Sequence, residues 1–181
     1  EREKINIKSN LNFLNKDGYK HFMEKEIHEQ PNVLINTIGS LVREENDLNI
    51  FPKKMNIHKN CGITICAAGT SHYAAMVGKY WIEKFSSIPV NVELSSEYRY
   101  RSPATEMYSC MIAISQSGES IDTLMAMREA KKLNLKTIAI TNVENSSIDR
   151  EADYSIYTHV GTEVGVASTK SFTSQLVVLL S

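Results

Sequence analysis

The sequence predicts an α/β fold, a three-layer α/β/α sandwich around a parallel sheet of about five strands. One observation is that short apolar stretches alternate along the chain with amphipathic segments, which is typical of right-handed βαβ units. A second is that the apolar stretches are continuous, as in strands that helices cover on both faces. We expect the flavodoxin-like strand order 2-1-3-4-5.

The first part of the chain is predicted to be helical. Residues 19–30 are rich in helix-forming residues, and Pro31 is expected to stop or kink that helix. Residues 32–42 place apolar side chains at helical spacing, so they are predicted to continue as a helix. The polar stretch 43–60 is interpreted as a connector to the sheet.

From residue 62 onward, strand and helix signals follow one another. Short β-rich apolar runs predict strands, and longer segments with one apolar face predict helices. The predicted segments are strand 62–67, helix 71–85, strand 90–94, strand 109–115, helix 120–133, strand 136–141, helix 146–151, strand 153–157 and a helix from residue 168 to the end. Because no Gly, Pro or basic turn ends the last helix, we expect the natural polypeptide to continue past Ser181.

Composition excludes several classes of protein. The chain has 20 Lys and Arg against 21 Asp and Glu, whereas proteins that bind nucleic acids or membrane surfaces usually carry a basic patch. No apolar run approaches the roughly 20 residues of a membrane span, and the first residues lack the apolar core of a signal peptide. Three cysteines and scattered histidines indicate neither a disulfide framework nor a metal site. We expect a cytoplasmic protein without metal or cofactor.

Two loops carry the predicted chemistry, one after the first strand and one after the third. In the expected order these strands are neighbours whose connections leave to opposite faces, and open α/β sheets bind ligands at such a point. Glycine lets backbone N–H groups approach a ligand, and a helix start favours an anion. The candidate residues are Gly69, Thr70 and Ser71 in the first loop (residues 68–71), and Ser115, Gln116, Ser117, Gly118 and Ser120 in the second loop (residues 115–120).

These two loops suit the single phosphate of a small metabolite. They contain no Lys, so they are not a Walker-type nucleotide loop, and Gln116 can hydrogen-bond sugar hydroxyls. The alternative is that the serines are only helix caps and turn residues, which would be the preferred interpretation for a single loop. Two such loops at adjacent strand ends favour an anion site.

A third loop, residues 161–170, follows the fifth strand and opens the last helix. Ser168 and Thr169 are predicted N-caps. Glu163 is either a buried base or an ordinary loop carboxylate, and its chemistry alone favours the second. For Lys170 we favour charge pairing beside the phosphate over a Schiff base, since an ordinary lysine stays protonated.

Sequence motifs at the three loops resemble the sugar-isomerase (SIS) family. The motifs are AGTS, SQSGES and GTEVGVASTKSFTSQ. With the segments HFMEKEIHEQP and VELSSEYRYR, they more narrowly resemble the branch of glutamine–fructose-6-phosphate aminotransferases. The resemblance implies that Ser115, Gln116, Ser117 and Ser120 bind the phosphate, with Ser71 at the first loop and Val166 and Ser168 beside the sugar. Two positions depart from the family: Ala68 replaces a common Cys, and Ser120 a common Thr.

The resemblance also implies a division of labour within a larger enzyme that makes glucosamine 6-phosphate from fructose 6-phosphate and glutamine. Residues 1–60 would lead into the isomerase half, and residues 61–181 would be its first SIS subdomain. The acid–base groups would belong to a second SIS subdomain, so no catalytic residue is expected here, and the isolated chain should be inactive. Expected partners are that subdomain, a glutaminase domain and a second copy in a homodimer. The alternatives are a stand-alone phosphosugar isomerase and a non-catalytic sugar-phosphate sensor.

Overall fold

The computed structural model describes residues 15–42, 61–101 and 107–181. The predicted connector of residues 43–60 lies outside these ranges, as does most of the N-terminal segment before the first helix. Within the described ranges, no helix combines the length and the apolar character that crossing a membrane requires.

One sheet of five parallel strands forms the centre of the molecule, in the order β2-β1-β3-β4-β5. This confirms the predicted fold class and strand order, and the bounds of β1, β2 and β4 are those predicted. The strands are β1 Gly62–Ala67, β2 Val90–Leu94, β3 Tyr108–Ser115, β4 Lys136–Thr141 and β5 Tyr154–Tyr157.

Helices cover both faces of the sheet, and most of them lie where helical periodicity placed them. The exception is α3, whose four residues SSEY are too few to show a helical period in the sequence. The helices are α1 Phe22–Leu41, α2 Gly69–Ser86, α3 Ser95–Tyr98, α4 Ile121–Lys132, α5 Ser147–Glu151 and α6 Lys170–Leu180.

Alternate residues of the central strands β1, β3 and β4 point into two separate apolar cores. In β3, Ile112 and Ile114 join the core that includes residues of α2 and α6. Met111 and Ala113 join the opposite core, which includes residues of α3, α4 and α5. Both sets are buried, which explains why the strands are apolar without interruption. The α2 and α4 connections therefore leave β1 and β3 toward opposite faces.

The sequence predicts a stop or a kink at Pro31. The helix does not stop there, because α1 continues through Pro31 as one helix. Proline has no N–H, so the carbonyl oxygen of Ile27 loses its usual partner four residues later. The side-chain amide of Gln30 donates to that oxygen at 3.0 Å and replaces the missing bond. The helix then packs along α6, and Thr37 Oγ1 donates to the Thr158 carbonyl oxygen at 2.6 Å.

Asp153 fixes the start of β5 against β4. Its Oδ2 accepts hydrogen bonds from the backbone N–H of Thr137 at 2.8 Å and from Thr137 Oγ1 at 2.9 Å. Burial raises the pKa of this carboxyl, but the hydrogen bonds from Thr137 and the charge of Lys131 outweigh it, so the pKa lies below its usual value.

We expect Asp153→Asn to lower the free energy of unfolding at pH 7 by about 1 kcal/mol. The substitution removes the negative charge that pairs with Lys131 and the charged acceptor to which Thr137 donates. A carboxyl whose pKa is depressed by folding stabilises above its unfolded pKa and loses that contribution as pH falls through the folded value. Urea unfolding from pH 7 to pH 3 should therefore show the difference between wild type and variant shrinking with acid. The exposed Glu144→Gln serves as the control, and a difference that is constant over this range would contradict the assignment.

Candidate functional site

The first and second loops begin side by side at the carboxyl edge of the sheet. In the pairing of β1 with β3, Ala67 lies opposite Ile114, so the chain leaves both strands at the same level. Since α2 and α4 diverge to opposite faces, the general rule for open α/β sheets places a crevice between the two loops. This is the topological switch point at which open α/β sheets bind ligands.

The second loop folds around the hydroxyl of Ser115, which is 3% exposed. The backbone N–H of Gly118 donates to Ser115 Oγ at 3.1 Å, and the hydroxyl oxygens of Ser115 and Ser120 lie 3.0 Å apart. Ser117 is exposed, and its Oγ accepts the N–H of Glu119 at 3.2 Å. Ser120 is the N-cap residue of α4, yet its side chain makes no capping hydrogen bond. Its hydroxyl thus stays beside Ser115 at the start of the helix.

Gly118 allows the second loop to pack against the segment before α5. It has a φ of +67°, and a Cβ at this position would clash with the side chain of Ser146. Its carbonyl oxygen accepts the N–H of Ile148 at 3.0 Å. Glu119 Oε1 accepts the N–H of Ser147 at 2.8 Å, and the hydrogen bonds from Ser147 lower the pKa of Glu119. The loop is therefore fixed from outside as well as by its own serines.

The first loop turns sharply into α2. Gly69 has a φ of +56°, and the N-cap Ala68 has no side-chain hydrogen bond to offer the helix. Within the described ranges, no residue exchanges a hydrogen bond with the hydroxyl of Ser71 or with the side-chain amide of Gln116 in the facing loop. Both groups, and the N–H groups of the first turn of α2, are therefore available to a ligand.

The third loop is closed by Glu163, which supplies the cap of α6. Its Oε1 accepts the N–H of Thr169 at 2.8 Å and the N–H of Ser171 at 3.3 Å. Of the two predicted N-caps, Thr169 occupies the N-cap position, but its side chain makes no capping hydrogen bond. The carboxylate of Glu163 provides the capping hydrogen bonds instead. Of the two roles considered for Glu163, these contacts give it that of a loop carboxylate with a structural task.

Two glutamates of α1 bind the third loop, and the sequence did not predict either contact. Glu26, which is 2% exposed, accepts the backbone N–H groups of Val164 and Gly165. Glu29 Oε2 pairs with the buried Lys170 Nζ at 2.8 Å. The expectation that Lys170 pairs with a bound phosphate is therefore replaced by an ion pair with α1. No periodicity or spacing signals these contacts, since the partners are 138 to 141 residues apart.

The predicted site residues divide into two groups. Those of the first and second loops lie at the ends of the paired strands β1 and β3, with Ser115 and Ser120 in direct contact. Val166 and Ser168 lie on the third loop, beyond β5. Val166 is fully exposed, and the described contact of the Ser168 hydroxyl is Glu163 Oε2 at 3.3 Å. Their place beside the sugar stays a prediction.

Other reactive groups do not contribute to the site. Burial raises the pKa of the Cys66 thiol and raises that of Cys110 to about 11, so both thiols stay protonated at neutral pH. In the part of the chain that the structure describes, no group of three His, Cys, Asp or Glu side chains lies close enough to hold a metal ion. The predicted site residues at the carboxyl edge offer hydroxyl, amide and backbone N–H groups, which bind a ligand by hydrogen bonding.

Comparison with known proteins assigns the family. The model of the SIS domain matches residues 56–181, which is more than half of the chain. The chain belongs to the SIS family. This confirms the resemblance seen in the loop motifs.

Relatives within the SIS family confirm the narrower resemblance. Glutamine–fructose-6-phosphate aminotransferase of Clostridium tetani is 48% identical over 182 residues, which cover 99% of this chain and 30% of that protein. The enzyme of Escherichia coli K12 is 45% identical over 186 residues, again 99% of this chain and 30% of that protein. The C-terminal domain of the Francisella tularensis enzyme superposes with a TM-score of 0.86 at 48% identity, covering 92% of this chain and 47% of that domain. The chain thus spans about 30% of the length of these curated relatives.

Substitution of the two loop glycines separates the clash at Gly118 from the cost of a positive φ. Gly69→Ala should lower the free energy of unfolding by about 1–2 kcal/mol, the cost of a left-handed alanine, because no atom of the described residues lies within 4 Å of the added Cβ. Gly118→Ala should cost a further ~1–3 kcal/mol, since Ser146 must also move. Urea unfolding of both variants gives the comparison, and equal losses would show that the second loop is not packed as described.

Proposed function

We propose that this chain binds the phosphate of a sugar phosphate, fructose 6-phosphate or glucosamine 6-phosphate, in the crevice between the first and second loops. The observation that carries the proposal is the second loop itself, where Ser115 and Ser120 place two hydroxyls 3.0 Å apart at the start of α4. A helix N-terminus offers free N–H groups and partial positive charge to an anion.

Each predicted residue has a chemical role in this proposal. When phosphate binds, the hydroxyls of Ser115 and Ser120 give up the hydrogen bond between them and, with Ser117, donate to phosphate oxygens. Ser71 approaches from the first loop. Gln116, whose side chain lies at the same edge, hydrogen-bonds sugar hydroxyls. Val166 and Ser168 contact the sugar from the third loop. The departure at Ser120 keeps a hydroxyl where the family commonly has Thr, so phosphate binding does not depend on which of the two is present.

We further propose that the chain acts as the first SIS subdomain of the isomerase half of a glucosamine-6-phosphate synthase. Residues 61–181 would form the subdomain, and residues 1–60 would lead into it. This placement is supported by sequence identity of 48% and 45% to two aminotransferases, which extends over 99% of this chain but only 30% of their length. A second SIS subdomain would supply the acid–base groups and a glutaminase domain the ammonia, in a cytoplasmic homodimer.

Removing hydroxyls from the second loop tests the phosphate site. Hydrogen bonds to a charged group contribute about 1.5–3 kcal/mol each, so Ser115→Ala with Ser117→Ala should weaken binding of fructose 6-phosphate by at least about a hundredfold. Ligand titration monitored by amide NMR chemical shifts measures the loss in the 181-residue chain.

Ser86→Ala is a matched control, because Ser86 lies at the far end of α2 and, among the described residues, its hydroxyl bonds only within that helix and its C-terminal turn. This variant should bind as wild type does. Unchanged affinity in the double variant, with the fold retained by circular dichroism, would mean that the phosphate lies elsewhere.

The chain alone should not turn over its ligand. With fructose 6-phosphate and ammonia we expect no glucosamine 6-phosphate, because the proposal assigns proton transfer between C2 and C1 to the other SIS subdomain. Mass-spectrometric detection of product over hours is the measurement. Formation of glucosamine 6-phosphate, or of an aldose phosphate without ammonia, would instead favour a self-sufficient isomerase.

A further inference from the structure

We infer that Glu26 is a positioning residue for sugar binding: its buried carboxylate holds the third loop in the conformation that receives the sugar. Glu26 Oε1 accepts the N–H of Val164 at 2.5 Å, and Gly165 N lies 3.1 Å from both carboxylate oxygens. A helix near the start of the described chain thus sets the backbone of a loop 138 residues away.

The surroundings of Glu26 show that the loop is its main partner. The side chain belongs to a residue only 2% exposed, and no cation within the described ranges forms an ion pair with it. A buried carboxylate needs compensation, and here backbone N–H groups of the third loop provide it. The buried carboxylate of Glu26 therefore loses its compensation if the third loop moves away, whereas Val164, which is exposed, can donate its N–H to water.

The third loop is held at two places, with a short exposed segment between them. Glu26 fixes residues 164 and 165, and Glu163 fixes the backbone at Thr169 and Ser171. Between these anchors lie Val166, which is fully exposed, and Ser168. A loop ordered before the ligand arrives loses less conformational entropy on binding. Glu26 therefore raises affinity for the sugar without touching it.

This inference rests on the proposed function, which gives the phosphate to the second loop and the sugar to the third. The two parts of the ligand can then be tested separately. Inorganic phosphate probes the second loop alone, whereas fructose 6-phosphate probes both. A general loss of stability would weaken the binding of both ligands. A loss of positioning in the third loop would weaken the binding of the sugar phosphate only.

Glu26→Ala in the 181-residue chain should raise the dissociation constant for fructose 6-phosphate about tenfold, while the constant for inorganic phosphate stays within about twofold of the wild-type value. Glu26→Gln keeps one carbonyl acceptor and should recover part of the affinity. Titrations followed by NMR, at a temperature where circular dichroism shows each variant folded, give both constants. Glu24→Ala is the control, because Glu24 lies on the same helix but is exposed, and within the part of the chain that the structure describes its carboxylate bonds only to the N–H of Lys20.

Gly165→Ala tests the same contact from the other side, with Glu26 intact. A Cβ on Gly165 would lie 2.5 Å from Glu26 Oε2, so the loop and the carboxylate must separate. We expect the same selective loss for fructose 6-phosphate. If wild type binds neither ligand, the proposed function fails. The role of Glu26 is overturned if wild type binds both ligands and the Glu26→Ala and Gly165→Ala variants bind fructose 6-phosphate as tightly as wild type does. It is also overturned if these variants lose affinity for inorganic phosphate to the same extent as affinity for fructose 6-phosphate.

Discussion

The parallel pairing of β1 with β3 is the constraint on which the rest of the molecule depends. These strands are neighbours in the sheet but are not consecutive along the chain, because α2 and β2 lie between them in the sequence. Their crossovers must therefore leave to opposite faces of the sheet, which opens a crevice at the shared carboxyl edge. The alternation of Ile112 and Ile114 with Met111 and Ala113 fixes this pairing, since a shift of one residue would exchange the side chains that face the two cores.

The candidate site uses this crevice with groups that carry no net positive charge. Ser115 accepts from the N–H of Gly118 and contacts Ser120, so the hydroxyls are oriented before any ligand arrives. The one lysine of the third loop, Lys170, is engaged with Glu29. An anion site of this kind is consistent with the near-neutral composition of 20 basic and 21 acidic residues.

The sequence was sufficient to predict the sheet, because continuous apolar strands and amphipathic helices are local signals. It was also sufficient to place the first two loops at adjacent strand ends, since strand order follows from general rules of connection. It could not show that Gln30 compensates for Pro31, or that Glu163 replaces the side-chain caps of α6. These depend on side-chain rotamers, and the contacts of Glu26 and Glu29 depend on tertiary neighbours far along the chain. Propensity and periodicity carry no information of that kind.

The contact between α1 and the third loop has a thermodynamic consequence. Docking of the helix and ordering of the loop share the hydrogen bonds of Glu26, so they form one cooperative unit rather than two independent ones. Coupling of this type is reciprocal. A ligand that binds the ordered conformation of the third loop must also stabilise the docking of α1 against α6, and a force that pulls α1 away must loosen the loop. The stability with which α1 is docked should therefore change when a ligand binds the third loop, although the two lie near opposite ends of the described chain.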